Sequence, residues 1–255
     1  TASGIEATAL GYSANASGRF STALGRNANA SGTAATAVGV NARAAGTAAA
    51  ALGEGSIANG ESATALGRKA NATGFEATAL GAGALASELQ ATALGPRADA
   101  SGIAATAVGL NARAAGTAAT ALGEASIANG LRATALGRRA NATGTQATAV
   151  GSEARASGQQ ATAMGPLANA TGIAATAVGL NARASGIAAT ALGEASIADG
   201  ESATALGRKA NATGFQTTAL GAGALASFTN STAIGTGAAT TRADQIVLGK
   251  ATTTT

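Results

Sequence analysis

The chain has 255 residues and a formal net charge of +4, with sixteen Lys and Arg against twelve Asp and Glu. It contains no Cys, His or Trp, one Tyr, four Phe and one Met, whereas glycine occurs 37 times. This inventory excludes disulfides, zinc sites, thiol nucleophiles and histidine general bases, so we expect neither an enzyme nor a cofactor. No apolar run approaches the roughly 20 residues that cross a bilayer as a helix.

A fourteen-residue repeat runs through the whole chain. One glycine, preceded by an aliphatic residue or Met, recurs at this spacing without insertion or deletion, a regularity typical of solenoid architectures. Segments that begin at residues 41, 111 and 181 are nearly identical, which indicates duplication in blocks of five repeats. We interpret the recurring glycines as structural turn residues: Gly11, Gly25, Gly39, Gly53, Gly67, Gly81, Gly95, Gly109, Gly123, Gly137, Gly151, Gly165, Gly179, Gly193, Gly207, Gly221, Gly235 and Gly249.

The first predicted element of each repeat is a short strand, ATAL at residues 7–10. Ala and Leu favour helix, but two glycines per repeat would each cost a helix about 1 kcal/mol. In a strand, Ala7 and Ala9 share one face while Thr8 and Leu10 share the other, and both faces are largely apolar. We expect the Leu face to fill the inside of the coil and the Ala face to contact other chains. The reverse arrangement, with the alanines inside, is the alternative.

The recurring glycine comes next, and we expect it in a tight turn that needs positive φ or a close backbone approach. A second strand follows, SANAS at 13–17 or KANAT at 69–73, in which Ala alternates with polar residues as in a strand with one buried face. Another glycine ends it, except where Glu88, Phe228 and Arg242 stand instead. Stacked coils would pair these strands in parallel, about 4.8 Å apart, and align equivalent side chains in ladders.

Pairs of basic residues recur at the turns seventy residues apart, and these are the candidate ligand contacts: Arg68, Lys69, Arg138, Arg139, Arg208 and Lys209. Exposed turn charges also keep a repeat protein soluble, which is the simpler explanation. We do not expect nucleic acid as a partner, because no aromatic residues are interleaved with the basic ones. A ladder of Thr residues two positions before the Leu suggests one alternative function, an ice-binding β-solenoid.

The phrase "ATALGxxAxAxGxx" resembles the fourteen-residue head repeat of the trimeric autotransporter adhesins, the Yersinia adhesin type with a YadA-like head. The resemblance extends over residues 3 to 249. It implies an all-β fold, a left-handed parallel β-roll of fourteen-residue coils, assembled as an intertwined homotrimer. The family's usual serine and valine in the first strand are mostly Ala and Thr here.

The resemblance also implies a domain organisation, a location and a role. Residues 1–235 would form the β-roll head, and 236–255 a closing coil that begins the connection to a neck or stalk. The protein would stand on a bacterial cell surface, anchored to the outer membrane through a C-terminal part outside this chain. Its partners would be host extracellular matrix proteins, cell-surface receptors or, through self-association, other bacterial cells.

Overall fold

A computed structural model describes residues 1–250, and the chain divides into two compact units, Thr1–Asn129 and Gly130–Thr255. Among the described residues there are strands and turns and no helix. It follows that no helix within 1–250 is long and apolar enough to span a membrane. The predicted all-β solenoid with a fourteen-residue spacing is confirmed; its handedness and its assembly as a homotrimer stay predictions.

Each coil contributes a strand of three residues, called strand one, and most coils add a strand of two residues, called strand two. Odd labels up to β33, and the final β34, are strand one; the other even labels are strand two. The strands of the first unit are β1 (Thr8–Leu10), β2 (Asn15–Ala16), β3 (Thr22–Leu24), β4 (Asn29–Ala30), β5 (Thr36–Val38), β6 (Arg43–Ala44), β7 (Ala50–Leu52), β8 (Ile57–Ala58), β9 (Thr64–Leu66), β10 (Asn71–Ala72), β11 (Thr78–Leu80), β12 (Leu85–Ala86), β13 (Thr92–Leu94), β14 (Asp99–Ala100), β15 (Thr106–Val108), β16 (Arg113–Ala114), β17 (Thr120–Leu122) and β18 (Ile127–Ala128).

The second unit repeats this alternation. Its strands are β19 (Thr134–Leu136), β20 (Asn141–Ala142), β21 (Thr148–Val150), β22 (Arg155–Ala156), β23 (Thr162–Met164), β24 (Asn169–Ala170), β25 (Thr176–Val178), β26 (Arg183–Ala184), β27 (Thr190–Leu192), β28 (Ile197–Ala198), β29 (Thr204–Leu206), β30 (Asn211–Ala212), β31 (Thr218–Leu220), β32 (Leu225–Ala226), β33 (Thr232–Ile234) and β34 (Ile246–Leu248). Of the predicted closing segment 236–255, the last five residues lie outside the described part of the chain.

Within each unit every strand pairs in parallel with the equivalent strand of the next coil. The register is a strict fourteen residues: in the pairing of β9 with β11, for example, Ala65 lies opposite Ala79 and Leu66 opposite Leu80. Because the offset never changes, each position of the repeat forms a ladder of equivalent side chains. Strand one therefore builds one sheet in each unit and strand two another, connected by the turns.

The interior of each unit is made almost entirely of alanine. Both strands direct Ala inward, as at Ala63 and Ala65 in one coil and Ala70 and Ala72 after the turn, and all four are fully buried. The arrangement we expected, with Leu inside, is therefore wrong, and the alternative with alanines inside is correct. The inward alanines are already fully buried, and a Leu in their place would overpack the interior. The Leu of strand one points outward instead and remains about two-fifths exposed at Leu66.

A few hydroxyl-bearing residues replace interior alanines, and each satisfies its own hydrogen-bonding group. The hydroxyls of Ser56, Ser126 and Ser196 each donate to the carbonyl oxygen of the glycine three residues before, at 2.9 Å. Thr217 makes the same kind of bond to the Gly214 carbonyl at 2.8 Å. Small polar residues are thus tolerated inside because the turn offers an acceptor at the right distance.

The turn after strand one is closed within the coil and supported by the neighbouring coil. In one representative turn the N–H of Ala70 donates to the carbonyl of Gly67, at 3.2 Å. Lys69 between them has φ of 57°, in the left-handed region, and a type II turn also needs positive φ at its third residue. The N–H of Lys69 donates to the carbonyl of Glu54 in the preceding coil, at 2.8 Å. The backbone of the turn is therefore paired whatever side chain it carries.

The two glycines of a repeat are required for different reasons. Gly67 has φ of 132°, which disfavours any L side chain, and a Cβ there would lie 2.7 Å from the Gly81 carbonyl carbon. All eighteen glycines of this ladder have positive φ. The other glycine, as at Gly60, has φ outside the positive region, but a Cβ would lie under 3.0 Å from the carbonyl oxygen of Gly74. Conformation and close approach fix the first glycine, and close approach alone fixes the second.

Candidate functional site

The six basic candidate residues all lie in the turn between strand one and strand two, and all are exposed. Lys69, Arg139 and Lys209 occupy the left-handed position of that turn, with φ of 57°, 55° and 57°. A left-handed, hydrogen-bonded turn fixes the backbone beneath each of these side chains while the charged end group stays in solvent. The sequence therefore located three exposed basic pairs, and their surroundings differ.

Arg68 and Lys69 line a surface depression of about 360 Å³. The next coil presents only Ala82 and Gly83 at the same turn, so there is little side-chain volume between the basic pair and the coil after it. The coil after Ala82 and Gly83 contributes Arg97 to the lining of the same depression. We call the group of Arg68, Lys69, Ala82, Gly83 and Arg97 the basic notch.

The basic pair at Arg138 and Arg139 is partly neutralised by one acid on the following coil. Arg138 Nη2 lies 3.2 Å from Glu153 Oε1, and Arg139 Nη1 lies 3.9 Å from the same oxygen. The third pair, Arg208 and Lys209, is followed by turns without charge, Ala222 with Gly223 and then Thr236 with Gly237. One basic motif thus stands in three different electrostatic settings.

The sequence pattern missed Arg97 and Glu153 because neither residue is near a basic pair along the chain. Arg97 comes twenty-eight residues after Lys69, and Glu153 comes fourteen residues after Arg139. Both offsets are whole multiples of the repeat, so both residues belong to the same turn ladder as the residues they approach. An alignment of the repeats by ladder position would have found Arg97 and Glu153 from the sequence.

Strand one carries the other distinctive surface, a row of large apolar side chains that we call the Leu row. In the first unit it comprises Leu10, Leu24, Val38, Leu52, Leu66, Leu80, Leu94, Val108 and Leu122; in the second it comprises Leu136, Val150, Met164, Val178, Leu192, Leu206, Leu220, Ile234 and Leu248. The Thr ladder alternates with it on the same outward face. That face therefore carries a single file of hydroxyls beside a hydrophobic file, and within residues 1–250 it has no second rank of Thr to match an ice lattice.

Polar ladders cover part of the remaining surface. The side-chain amide of Asn27 donates to Asn41 at 3.1 Å, and that of Gln160 donates to Gln146 at 3.2 Å, each pair one repeat apart. In the described part of the chain, no three or more Asp or Glu side chains come together in a way that could hold a metal ion. The basic turns and the Leu row are thus two distinct surface features, and the other turn also exposes apolar side chains such as Ile103.

Comparison with known proteins points to one family. A family model described as the YadA head domain repeat (2 copies) matches residues 2–28, 30–56, 44–70, 72–98, 100–126, 128–154, 156–182, 184–210 and 212–238. Among solved structures, the chain is similar to the collagen-binding domain of the Yersinia adhesin YadA, with 18% sequence identity over 84% of this chain and 72% of that chain, and a TM-score of 0.20. No curated protein sequence matches the chain.

Proposed function

Since this chain belongs to the family of YadA head domains, we propose that it is the head segment of a bacterial surface adhesin that works as a homotrimer. The head would attach cells to host extracellular matrix or to host cell surfaces, or join bacterial cells by self-association. It would stand outside the cell, held at the outer membrane by a C-terminal part beyond this chain. We propose no enzymatic activity for it.

The observation that carries the assembly is the Leu row. Leu66, Leu94 and Leu122 remain 43%, 41% and 41% exposed in the single chain. Fully burying a Leu is worth about 1.5 to 3 kcal/mol, so each of these side chains retains about 0.6 to 1.2 kcal/mol that further burial could contribute. Because part of this gain recurs along the row, with an exposed or half-buried apolar side chain in each coil, a copy of the same chain, which carries the same periodic row, is well suited to cover it. Three copies is the number that the family resemblance implies.

The interior supports the same proposal. Each buried Ala contributes far less than a buried Leu, whereas every ordered residue costs about 1 to 2 kcal/mol of backbone entropy. The large apolar side chains, which stabilise an ordinary core, are here on the outside. Contact between chains would therefore supply stabilisation that the alanine interior does not.

Sedimentation equilibrium tests the assembly directly. We expect a mass of three chains of 23.6 kDa each. The double variant Leu66→Ser with Leu94→Ser should weaken the trimer, because it removes two apolar groups of the Leu row from each chain. Leu89→Ser is the matched control, since Leu89 is similarly exposed, at 44%, but lies in the other turn. A folded monomer for the unmodified chain would contradict the trimer.

Binding to immobilised collagen, fibronectin and laminin, and to epithelial cells, tests the adhesive role. Three chains would present every exposed residue three times, so weak contacts should add up on a multivalent target and exceed single-site affinity by about 10² to 10⁴. We expect retention on at least one such surface and much weaker binding to a soluble monovalent fragment of the same target. Failure to bind any of these surfaces, together with no aggregation of cells that display the head, would contradict the proposal.

A further inference from the structure

The basic notch concentrates positive charge at one place in the first unit. Lys69 and Arg97 occupy the same left-handed turn position two coils apart, with φ of 57° and 54°. Successive parallel coils lie about 4.8 Å apart, so the two backbones are separated by roughly 10 Å. Between them Gly83 carries no side chain, and a Cβ at Gly83 would lie 3.7 Å from Arg97 Cγ. A Cβ would fit there in ordinary contact, so the notch is open because Ala82 and Gly83 are both small.

The cations of the notch take part in none of the ion pairs found within residues 1–250. The ion pairs found in this part of the chain join Arg113 to Asp99, Arg138 and Arg139 to Glu153, and Arg183 to Asp199. None of them involves a residue of the notch. The nearest acid on the turn ladder is Glu54, one coil before Arg68, and it is not among these ion pairs. Three cations that repel one another around a depression favour an external anion.

The other two blocks of the chain provide internal comparisons. The residue equivalent to Gly83 is Glu153 in the second block and Gly223 in the third, at offsets of seventy residues. The residue equivalent to Arg97 is Leu167 in the second block and Gly237 in the third. Only the first block combines the basic pair, the small spacer and the third cation. The feature is therefore a property of one site and does not follow from the repeat itself.

We propose that the basic notch binds a sulfated polysaccharide. Sulfate groups carry a permanent negative charge and several oxygen acceptors, which suit the fork of donors on Arg68 and Arg97. Cations spaced roughly 10 Å apart along a ladder match a chain of repeated anions better than one isolated ion. The depression also includes Pro96 and Leu110 and no aromatic side chain, and that composition disfavours single-stranded nucleic acid, whose bases need stacking partners; duplex DNA is left to the test. The proposal rests on the proposed function, which exposes this surface to extracellular polysaccharides.

The test uses the unmodified 255-residue protein on immobilised heparin, with desulfated heparin, hyaluronan and double-stranded DNA as comparison surfaces. We expect binding to heparin that weakens as salt rises above the physiological range, because exposed charges are screened. Desulfated heparin and hyaluronan, which lack sulfate, should bind much less. Equal or stronger binding to DNA would overturn the assignment to polysaccharide, and absence of binding to heparin would overturn the site.

Matched variants locate the binding. Lys69→Asn and Arg97→Asn suit the left-handed turn position, which Asn27 and Asn41 already occupy, and each should weaken heparin binding by about threefold to fivefold. Lys209→Asn, the same change in the third block, should have less effect. Equal losses from Lys69→Asn and Lys209→Asn would show that binding depends on overall charge and would overturn the notch as its site.

Exchanges between blocks supply the sharper test. Gly83→Glu introduces the acid that partly neutralises the second block. It lowers the charge by one unit, as each single cation variant does, and also adds a side chain to the lining of the depression, so it should reduce heparin binding at least as much as either of them. Gly237→Arg adds the third cation to the pair Arg208 and Lys209 and should increase binding. If Gly237→Arg leaves heparin binding unchanged while the protein is folded, the three-cation notch is not the recognition element. Matrix binding without heparin binding would leave the adhesive role standing and this proposal refuted, whereas the reverse result would refute only the adhesive role.

Discussion

Substitutions at three nearby glycines can distinguish the two reasons for which glycine is needed, a positive φ and a close approach of the neighbouring backbone. Gly207 has φ of 131°, and a Cβ there would lie 2.7 Å from the carbonyl carbon and oxygen of Gly221. Gly200 has φ outside the positive region, but its Cβ would come under 3.0 Å from the Gly214 carbonyl oxygen. Gly223 has φ of 65°, and a Cβ added there would meet no heavy atom of residues 1–250 within 4 Å. Gly207→Ala therefore adds both backbone strain and overlap, and Gly200→Ala adds overlap alone. Gly223→Ala adds only the mild strain of a left-handed φ.

The expected losses follow from these geometries. For Gly207→Ala, an unfavourable φ costs about 1 to 3 kcal/mol and backbone overlap about 1 to 3 kcal/mol, so we expect about 2 to 6 kcal/mol per chain. Gly200→Ala carries only the overlap, about 1 to 3 kcal/mol. Gly223→Ala should cost at most about 1 kcal/mol, because the left-handed penalty is partly offset by a less flexible unfolded chain. Ala125 and Ala195 already occupy this turn position with φ of 52° and 53°.

Guanidinium unfolding followed by circular dichroism, at one fixed protein concentration, measures these free energies. The fixed concentration matters because the stability of an oligomer depends on it. Hydrogen exchange on peptides from 193–228 would show whether the loss is local, as expected when each coil contacts only its neighbours. If Gly223→Ala destabilises as much as Gly207→Ala, or if Gly200→Ala is neutral, the account of the two glycine ladders is wrong.

Three further predictions concern the interior and the surface. Ala79→Leu should prevent the local coil from forming, because Ala79 is fully buried and overpacking a tight interior costs about 1 to 3 kcal/mol or more; circular dichroism and hydrogen exchange would detect this. Ser126→Ala should change the free energy of unfolding by less than about 1 kcal/mol, since Ala is the usual residue of that ladder and only one hydroxyl bond is lost. Glu153→Ala should also cost less than about 1 kcal/mol in the same denaturant assay, because exposed ion pairs contribute little.

Much of the fold could be predicted from the sequence because the repeat has no insertions. Period-two alternation located strand two at Asn71–Ala72, and the spacing of the glycines located the turns around it. The fixed fourteen-residue offset also predicts parallel pairing of equivalent strands, as between Asn71 and Leu85. These features follow from residue type and from the constant spacing of the repeat, and both can be read from the sequence.

The inside and the outside of strand one could not be assigned from apolarity alone, because both faces are apolar. A different signal was present in the sequence. The Leu position accepts Val108, Met164 and Ile234, side chains of different shapes, whereas the interior positions vary mostly between Ala and Ser, as at Ser56. A close-packed interior tolerates little change in volume. The position that varies in size is therefore the outward one, as the structure places it.

The constant interior also explains how the surface could diverge. Turns such as the one at Gly67 are closed by a backbone bond within the coil and supported by another to the preceding coil, so residues at the two turn positions can change at little cost to the coil beneath. Block duplication then produced three copies of one basic turn. With the acid of the preceding coil counted, Glu54, Arg68, Lys69 and Arg97 give +2; Glu124, Arg138, Arg139 and Glu153 give 0; Glu194, Arg208 and Lys209 give +1. If local charge at these turns governs anion binding, single-block neutralisation should reduce retention on heparin most in the first block, less in the third and least in the second. An order set by position along the chain instead would mean that access to the surface, and not charge, decides where the anion binds.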